Sequence, residues 1–224
     1  TSARSSTTSR SKTYAAKPIY VIPALTSGKT DIVPFECPRH SGLEGMPVSS
    51  KLVIRGVISP PFTTLIDLGD VSRFLHVSGG ASVTLESLNI RDGNAIAETV
   101  NPRGGVIDAH DSALTLRNVN VVSSRANEGG AVYFASDGPS LLVERCQLTG
   151  NLAENGATAV VPRGGALYLM LEGTARARVT DTTYGSSASA RVVVIRGLSI
   201  ADGSLSPESV GLRFTDGGLN DVEP

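Results

Sequence analysis

An eight-residue apolar pattern recurs four times between residues 83 and 184. The first, third, sixth and eighth positions are apolar in the first three copies, and the fourth copy differs by Thr182 at its sixth position. The copies are Val83–Ile90, Leu114–Val121, Leu141–Leu148 and Ala177–Tyr184, whose last residues are separated by 31, 27 and 36 positions. Recurrence at this scale is typical of stacked structural units that bury a shared core.

A second apolar run follows a pair of glycines in three of the intervals. The pairs are Gly104-Gly105, Gly129-Gly130 and Gly164-Gly165. Relative to a basal repeat of about 25 residues, the surplus falls in two inserts, Asn94–Arg103 and Thr158–Arg163, and each runs into Pro-Arg-Gly-Gly. Inserts between fixed strands map to loops on one side of a stack, so we expect both to project from the same side.

These patterns predict an all-β chain folded as a parallel β-solenoid with few or no helices. No segment keeps a 3.6-residue apolar period over three turns. Arg103 and Arg163 stand at equivalent points of their loops, two coils apart. Because successive coils of a solenoid lie ~4.8 Å apart, the two arginines should be roughly 10 Å apart. We expect an N-terminal arm over residues 1–17, the β-helix over 18–203 and a C-terminal cap or extension over 204–224.

The composition limits the possible partners and the kind of core. The chain has a net charge of −1, which gives no overall attraction to nucleic acid, and no apolar run reaches the ~20 residues of a membrane helix. Only 4% of residues are aromatic, so the core must consist of Val, Leu, Ile and Ala.

Two cysteines, Cys37 and Cys146, provide no disulfide framework or metal-ligand spacing. Cys146 occupies the sixth position of the repeat and is predicted to be a core residue.

The N-terminal arm is basic and contains no acidic residue. It is rich in Ser, Thr and Ala, and its four bases are Arg4, Arg10, Lys12 and Lys17. This composition is typical of a disordered segment or of the remnant of an organellar transit peptide. We expect a partner protein to hold this arm, and we expect the arm and the atypical C-terminus to cap the open ends of the solenoid.

Two of the repeats resemble a known family. Leu148-x-x-Asn151-x-Ala153, followed by Gly156-Ala157, is similar to the Phe-x-x-Asn-x-Ala…Gly-Gly-Ala repeat of polymorphic outer-membrane-protein β-helices. Val121-x-x-Ser124-x-Ala126, followed by Gly129–Tyr133, keeps the same spacing but has Val for Phe and Ser for Asn. The resemblance covers roughly residues 74–190 and implies the right-handed parallel β-helix fold of the pectin-lyase-like group. That fold carries lyases, hydrolases, adhesins and scaffolds, so it leaves the function open.

A carbohydrate site is one alternative for function. Asp108 and Asp111 flank His110, and Asp92 lies one repeat earlier, so these side chains could serve acid–base chemistry or a hard cation. The residues around His110 also suit a plain polar turn, and the Asn-Thr-Asp, Asp-Asp, Gly-His-Gly and Arg-Ile-Lys signatures of pectin-lyase-like hydrolases are missing. His40 and His76 have no carboxylate neighbour in the sequence and are predicted to be surface or turn histidines.

The two Pro-Arg-Gly-Gly loops offer another binding site. Arg103 and Arg163 could together bind an anion or carboxylate, or their loops could simply steer the chain back into the sheet. We therefore predict a non-catalytic structural or binding solenoid that docks to other proteins of a larger assembly and needs no cofactor. The alternatives are a polysaccharide-active or carbohydrate-binding β-helix and a cell-surface adhesin passenger. The resemblance favours a cell-surface location, whereas the arm favours an organelle such as a plastid.

Overall fold

A computed structural model shows that the chain is a parallel β-solenoid. It describes residues 20–21, 45–56, 58–59, 62–96, 98, 102–155, 162–184, 193–196 and 221–222, and within these ranges every regular element is a strand and none is a helix. The predicted fold class is confirmed, while the right-handed sense of the coil stays a prediction. Residues 1–17, with Arg4, Arg10, Lys12 and Lys17, lie outside the described residues.

Three long sheets run along the stack, and each coil passes through sheet II, then sheet I, then sheet III. Sheet I contains β1 (Tyr20–Val21), β3 (Lys51–Arg55), β7 (Ser82–Glu86), β10 (Ala113–Arg117), β14 (Leu141–Glu144) and β18 (Ala177–Thr180). Sheet II contains β2 (Met46–Val48), β6 (Leu75–Val77), β9 (Ile107–His110), β13 (Val132–Ser136), β17 (Leu167–Leu171), β20 (Val193–Arg196) and β21 (Asp221–Val222). Sheet III contains β4 (Ile58–Ser59), β5 (Phe62–Asp67), β8 (Leu88–Arg91), β11 (Asn120–Val122), β15 (Gln147–Thr149) and β19 (Thr183–Tyr184).

Two shorter features complete the sheets. β12 (Arg125–Ala126) and β16 (Leu152–Ala153) form a two-stranded parallel ladder after sheet III. The hairpin of β4 and β5 is antiparallel, whereas every other pairing among the described strands is parallel. At the two ends, β1 pairs with β3 and β21 pairs with β20, so segments near both termini of the chain add strands to the stack.

The eight-residue motif forms two strands joined at a corner. Its four copies are β7–β8, β10–β11, β14–β15 and β18–β19, and they pair in register. The fifth position of every copy adopts a left-handed backbone conformation with φ of 50–57° (Ser87, Asn118, Arg145 and Asp181). This residue turns the chain by leaving the β region, so the four apolar positions of one copy can all face the interior.

The apolar positions stack like on like through the coils. Ile90 pairs with Val121, Val121 with Leu148, and Leu148 with Tyr184, as the spacing of 31, 27 and 36 residues requires. Cys146 is 1% exposed in this core, which confirms its predicted position. Burial raises the pKa of its thiol to about 11. Each coil buries its apolar face only against its neighbours, so the stability of the solenoid is a sum over coil interfaces.

Paired glycines make the corner that leads into sheet II. The first glycine of each pair has a positive φ of 56–66°, which few other residues adopt without strain (Gly104, Gly129 and Gly164). At the second position the backbones of successive coils approach closely, since a Cβ on Gly130 would lie 2.1 Å from the carbonyl oxygen of Gly165. The glycine pairs therefore set the distance between coils at this corner.

Buried polar side chains satisfy the backbone at the corner after sheet III. The amide of Gly93 donates to Ser124 Oγ at 3.2 Å, and the amide of Ser124 donates to Asn151 Oδ1 at 3.0 Å. Asn151 Nδ2 in turn donates to the carbonyl oxygen of Val121 at 3.0 Å. Ser124 and Asn151 are the Ser and Asn positions of the two similar repeats, and their hydrogen bonds hold one coil to the next.

Candidate functional site

The outward row of sheet II carries the most unusual side chains of the solenoid. His76, Asp108, Tyr133 and Tyr168 occupy equivalent positions on β6, β9, β13 and β17. Alternation along each strand directs them away from the apolar core, because their neighbours Val77, Ala109, Phe134 and Leu169 face inward. Asp108, Tyr133 and Tyr168 are nevertheless at most 1% exposed, whereas His76 is 32% exposed, so this outer face is covered except at its His76 end.

Arg73 is the centre of a buried ion-pair cluster on this face. It directly precedes Phe74 and β6, and its side chain is 1% exposed. Its Nη1 donates to Asp108 Oδ2 at 2.5 Å, and its Nη2 donates to Glu98 Oε2. Glu98 belongs to the first insert, so the cluster fastens that insert to the outer face of the sheet. Gly45 leaves room for the arginine, since a Cβ there would lie 2.4 Å from Arg73 Cγ.

Two histidines complete the environment of Asp108. His76 Nδ1 lies 3.0 Å from Oδ2, and His110 Nε2 lies 2.9 Å from Oδ1 at an angle outside hydrogen-bond geometry. Burial opposes ionisation of Asp108, but the contacts with His110 and His76 and the charge of Arg73 outweigh it and hold the pKa of the carboxyl well below its usual range. An ionised carboxylate can only accept, so His76 Nδ1 is the donor in its hydrogen bond to Oδ2 and carries hydrogen.

An aromatic stack continues the row along the solenoid. The rings of His110 and Tyr133 have centroids 5.4 Å apart, and Tyr133 stacks on Tyr168 at 5.3 Å with an interplanar angle of 9°. Arg103 Cζ lies 4.8 Å from the centroid of Tyr133. The phenol of Tyr133 donates to Met170 Sδ at 3.2 Å, and burial raises its pKa, although the charge of Arg103 opposes this. This stack holds the Arg103 guanidinium at the rim of the covered face.

The arginines of the two Pro-Arg-Gly-Gly loops occupy equivalent positions, as predicted. Both form parallel bridges with Glu128, which lies on the coil between them, so they are two coils apart. Arg103 Nε donates to Glu128 Oε2 at 3.0 Å, and the amide of Gly129 donates to the carbonyl oxygen of Arg163 at 2.9 Å. Glu128 thus partly neutralises the positive charge that the sequence predicted at this edge.

The three aspartates of the carbohydrate alternative do not lie together. Asp92 has a φ of 56° in the corner after β8, and its carboxylate lies 3.4 Å from Arg91 Nε. Asp111 has a φ of 45° in the turn between β9 and β10, where it is exposed. Asp108 alone belongs to the face of sheet II. Of the four candidates, the structure brings together only Asp108 and His110.

Sequence reasoning missed several members of the cluster. His76, predicted to be a surface or turn histidine, lies on β6 and is 32% exposed, and it contacts Asp108 across β6 and β9, a neighbour that is distant in the sequence. Arg73 and Glu98 were not predicted to have a role. Coil register was the available signal: His76 and Asp108 are 32 positions apart, close to the 31 residues that separate the first two motif copies.

Among the described residues, no helix is long and apolar enough to cross a membrane. Within the same ranges, no group of three or more His, Cys, Asp or Glu side chains is placed to hold a metal ion. No protein-family model matches the chain, and neither a curated protein nor a solved structure matches it. The resemblance to polymorphic outer-membrane-protein repeats therefore rests on the residues of the two repeats.

Proposed function

We propose that the chain is a non-catalytic binding solenoid that docks to other proteins of a larger assembly. The observation that supports this most is that Asp108 is buried and ion-paired. This carboxylate is fully buried and is engaged by Arg73 and two histidines. A general acid or base must reach the proton that it transfers, and a carboxylate enclosed in this way is suited to fastening the first insert instead.

The rim of the covered face is the proposed docking surface. Arg103 is 35% exposed, and its guanidinium is held between Glu128 and the ring of Tyr133. A cation that is already ordered loses little conformational entropy when a partner's carboxylate binds it. Arg163 lies at the equivalent position two coils away, and the basic arm adds Arg4, Arg10, Lys12 and Lys17. These residues together favour an acidic protein surface as the partner.

The location and the family assignment remain part of the proposal. The resemblance of residues 74–190 to polymorphic outer-membrane-protein repeats supports a role at a cell surface, where an adhesin passenger would act. The composition of residues 1–17 supports an organelle such as a plastid. Both locations are compatible with a rigid rod that binds proteins along its side.

The test compares capture of partners by three variants of the immobilised protein. One variant replaces the four bases of the arm by Gln, one carries Arg103→Ala and Arg163→Ala, and the control carries Arg178→Ala at an exposed position of β18. We expect the wild type and the control to capture an acidic protein. The arm variant and the loop variant should each capture at least tenfold less of it. A captured set that none of the variants changes would contradict the proposal.

The same preparations test the carbohydrate alternative. They are assayed for release of reducing ends or unsaturated products from a panel of polysaccharides, and for binding to a glycan array. We expect neither activity. Cleavage that Asp108→Asn abolishes, with the fold intact by circular dichroism, would replace the docking function by a catalytic one.

A further inference from the structure

The outer face of sheet I carries a ladder of alternating charges. Arg55, Glu86, Arg117 and Glu144 occupy equivalent positions on β3, β7, β10 and β14. Arg55 Nε lies 2.6 Å from Glu86 Oε2, Arg117 Nη1 lies 3.6 Å from Glu86 Oε1, and Arg117 Nε lies 3.1 Å from Glu144 Oε2. The sign therefore changes at every step from β3 to β14, and Thr180 follows at the equivalent position on β18.

This face is open, unlike the outer face of sheet II. The exposed fractions of the four side chains are 63% for Arg55, 21% for Glu86, 43% for Arg117 and 31% for Glu144. A second outward row runs beside the ladder, two residues earlier on each strand, and consists of Val53, Thr84, Thr115 and Leu142. All four of these side chains are partly exposed.

We propose that a second copy of this chain packs on the outer face of sheet I about a two-fold axis. The axis runs parallel to the strands and passes between β7 and β10. It reverses the order of the coils, so Arg55 meets the partner's Glu144 and Glu86 meets the partner's Arg117. Because the ladder alternates over an even number of coils, every charge then faces an opposite charge.

The second row obeys the same symmetry. The axis places Val53 against the partner's Leu142 and Thr84 against the partner's Thr115. The two apolar side chains meet each other at both ends, and the two threonines meet at the centre, where their small size allows the sheets to approach to about 10 Å. Two independent rows of the face are thus palindromic about one axis.

The other outward rows lack this property. In sheet III one outward row reads Leu65, Asn89, Asn120 and Gln147 and carries no charge. The other reads Asp67, Arg91, Val122 and Thr149; its sign changes once, and it is not palindromic. In sheet II the outward row His76, Asp108, Tyr133 and Tyr168 is not palindromic, and its last three members are at most 1% exposed. The proposal therefore concerns sheet I alone and does not depend on the function proposed for the loops and the arm.

The size of the face sets the strength of the dimer. Four coils ~4.8 Å apart and strands of about five residues give a face of roughly 300 Å² per copy, whereas a stable interface buries ≈ 800 Å² per partner. We therefore expect a weak dimer that assembles through its charges and dissociates as salt is added.

The test uses sedimentation equilibrium at protein concentrations from 10 to about 500 µM, in 50 mM and 500 mM salt, a range that covers weak association. We expect the wild type to dimerise at low salt, with a dissociation constant at least tenfold higher at high salt. A wild type that stays monomeric throughout at low salt would overturn the proposal.

An inverted ladder makes the test specific. The quadruple variant Arg55→Glu, Glu86→Arg, Arg117→Glu and Glu144→Arg keeps alternation within the chain and complementarity between two of its own copies. It should dimerise like the wild type but should not form a mixed dimer with it, because like charges would then face each other. Mixed dimers as abundant as either homodimer would show that the ladder does not form the interface.

A single variant covers the case in which the quadruple variant does not fold. Thr115→Arg leaves the ladder intact and places a long cation at the centre of the interface, opposite the partner's Thr84. It should abolish the dimer while the circular dichroism spectrum and melting temperature stay near those of the wild type. The matched control is Thr149→Arg, at a partly exposed position on sheet III, which should still dimerise. Dimerisation of Thr115→Arg with an unchanged constant would refute the proposal.

Discussion

Replacing Arg73 by Met tests whether the ion-pair cluster fastens the first insert to the solenoid. Met keeps most of the aliphatic volume of the side chain but removes the guanidinium. Asp108 and Glu98 would then remain at 0% and 7% exposure without the cation that they share. The carboxylates would be left in a medium that solvates charge poorly, and a neutral form would become favourable.

Removing one member of a buried ion pair destabilises proteins by about 3–5 kcal/mol. A domain of 150–250 residues loses about 2–4 °C in melting temperature for each kcal/mol. We therefore expect Arg73→Met to melt about 6–20 °C below the wild type at pH 7. The matched control is Arg91→Met, which removes an exposed arginine paired with Asp67 at 2.5 Å and should change the melting temperature little.

The dependence on pH distinguishes an electrostatic cause from simple loss of packing. In the wild type, the lowered pKa of Asp108 contributes stability that is present above the unfolded pKa of about 3.9 and is lost as the pH falls through the folded value. In Arg73→Met the buried carboxylates take up protons more readily, so the difference from the wild type should narrow between pH 7 and pH 4. Thermal and urea unfolding followed by circular dichroism measure this difference. Equal melting temperatures for Arg73→Met and Arg91→Met at pH 7, or a difference independent of pH, would refute the reasoning.

The coil spacing and the core give two further predictions. Gly130→Ala should destabilise the fold by about 3 kcal/mol in urea unfolding, because its Cβ would lie 2.1 Å from the carbonyl oxygen of Gly165; Gly138→Ala, whose Cβ would meet nothing closer than 3.9 Å, should be nearly neutral, and equal effects would contradict the close approach. In a Cys37→Ser background, Cys146 should react with a thiol reagent at pH 8 at least 100-fold more slowly than in urea, because it is buried and its pKa is raised to about 11. Rapid stoichiometric labelling of the native protein would contradict its place in the core.

The apolar period predicted the sheets and their register because inward positions carry a strong signal of their own. Val83, Leu114, Leu141 and Ala177 pair in order, as the spacing requires. The corner residue inside each motif gave no such signal, since Ser87, Asn118, Arg145 and Asp181 share only polarity. Thr182 is the exception to the apolar pattern at the sixth position. Its hydroxyl accepts a hydrogen bond from the amide of Cys146 at 3.4 Å and donates one to the carbonyl oxygen of Thr180 at 3.0 Å. A hydroxyl can therefore replace an apolar group at this corner without leaving its polar atom unsatisfied.

The candidate site was less predictable because its members are distant in the sequence. Arg73 lies 25 residues from Glu98 and 35 from Asp108, and the three meet only through the stacking of coils. Asp92 and Asp111 share the residue type of Asp108, but their backbones form corners and direct them elsewhere. Residue types were thus enough to single out Asp108 and His110. Their contacts with Arg73, Glu98 and His76 depend on the stacking of the coils.

Nuclear magnetic resonance of the uniformly labelled protein tests the central claim, the parallel register of the coils, most directly. The structure pairs Leu85 with Leu116 and Leu116 with Val143, at separations of 31 and 27 residues. We expect backbone nuclear Overhauser contacts between these pairs, in the evenly spaced pattern of parallel strands. Contacts displaced by one residue along either strand, or the alternating pattern of antiparallel strands, would contradict the solenoid and the site built on it.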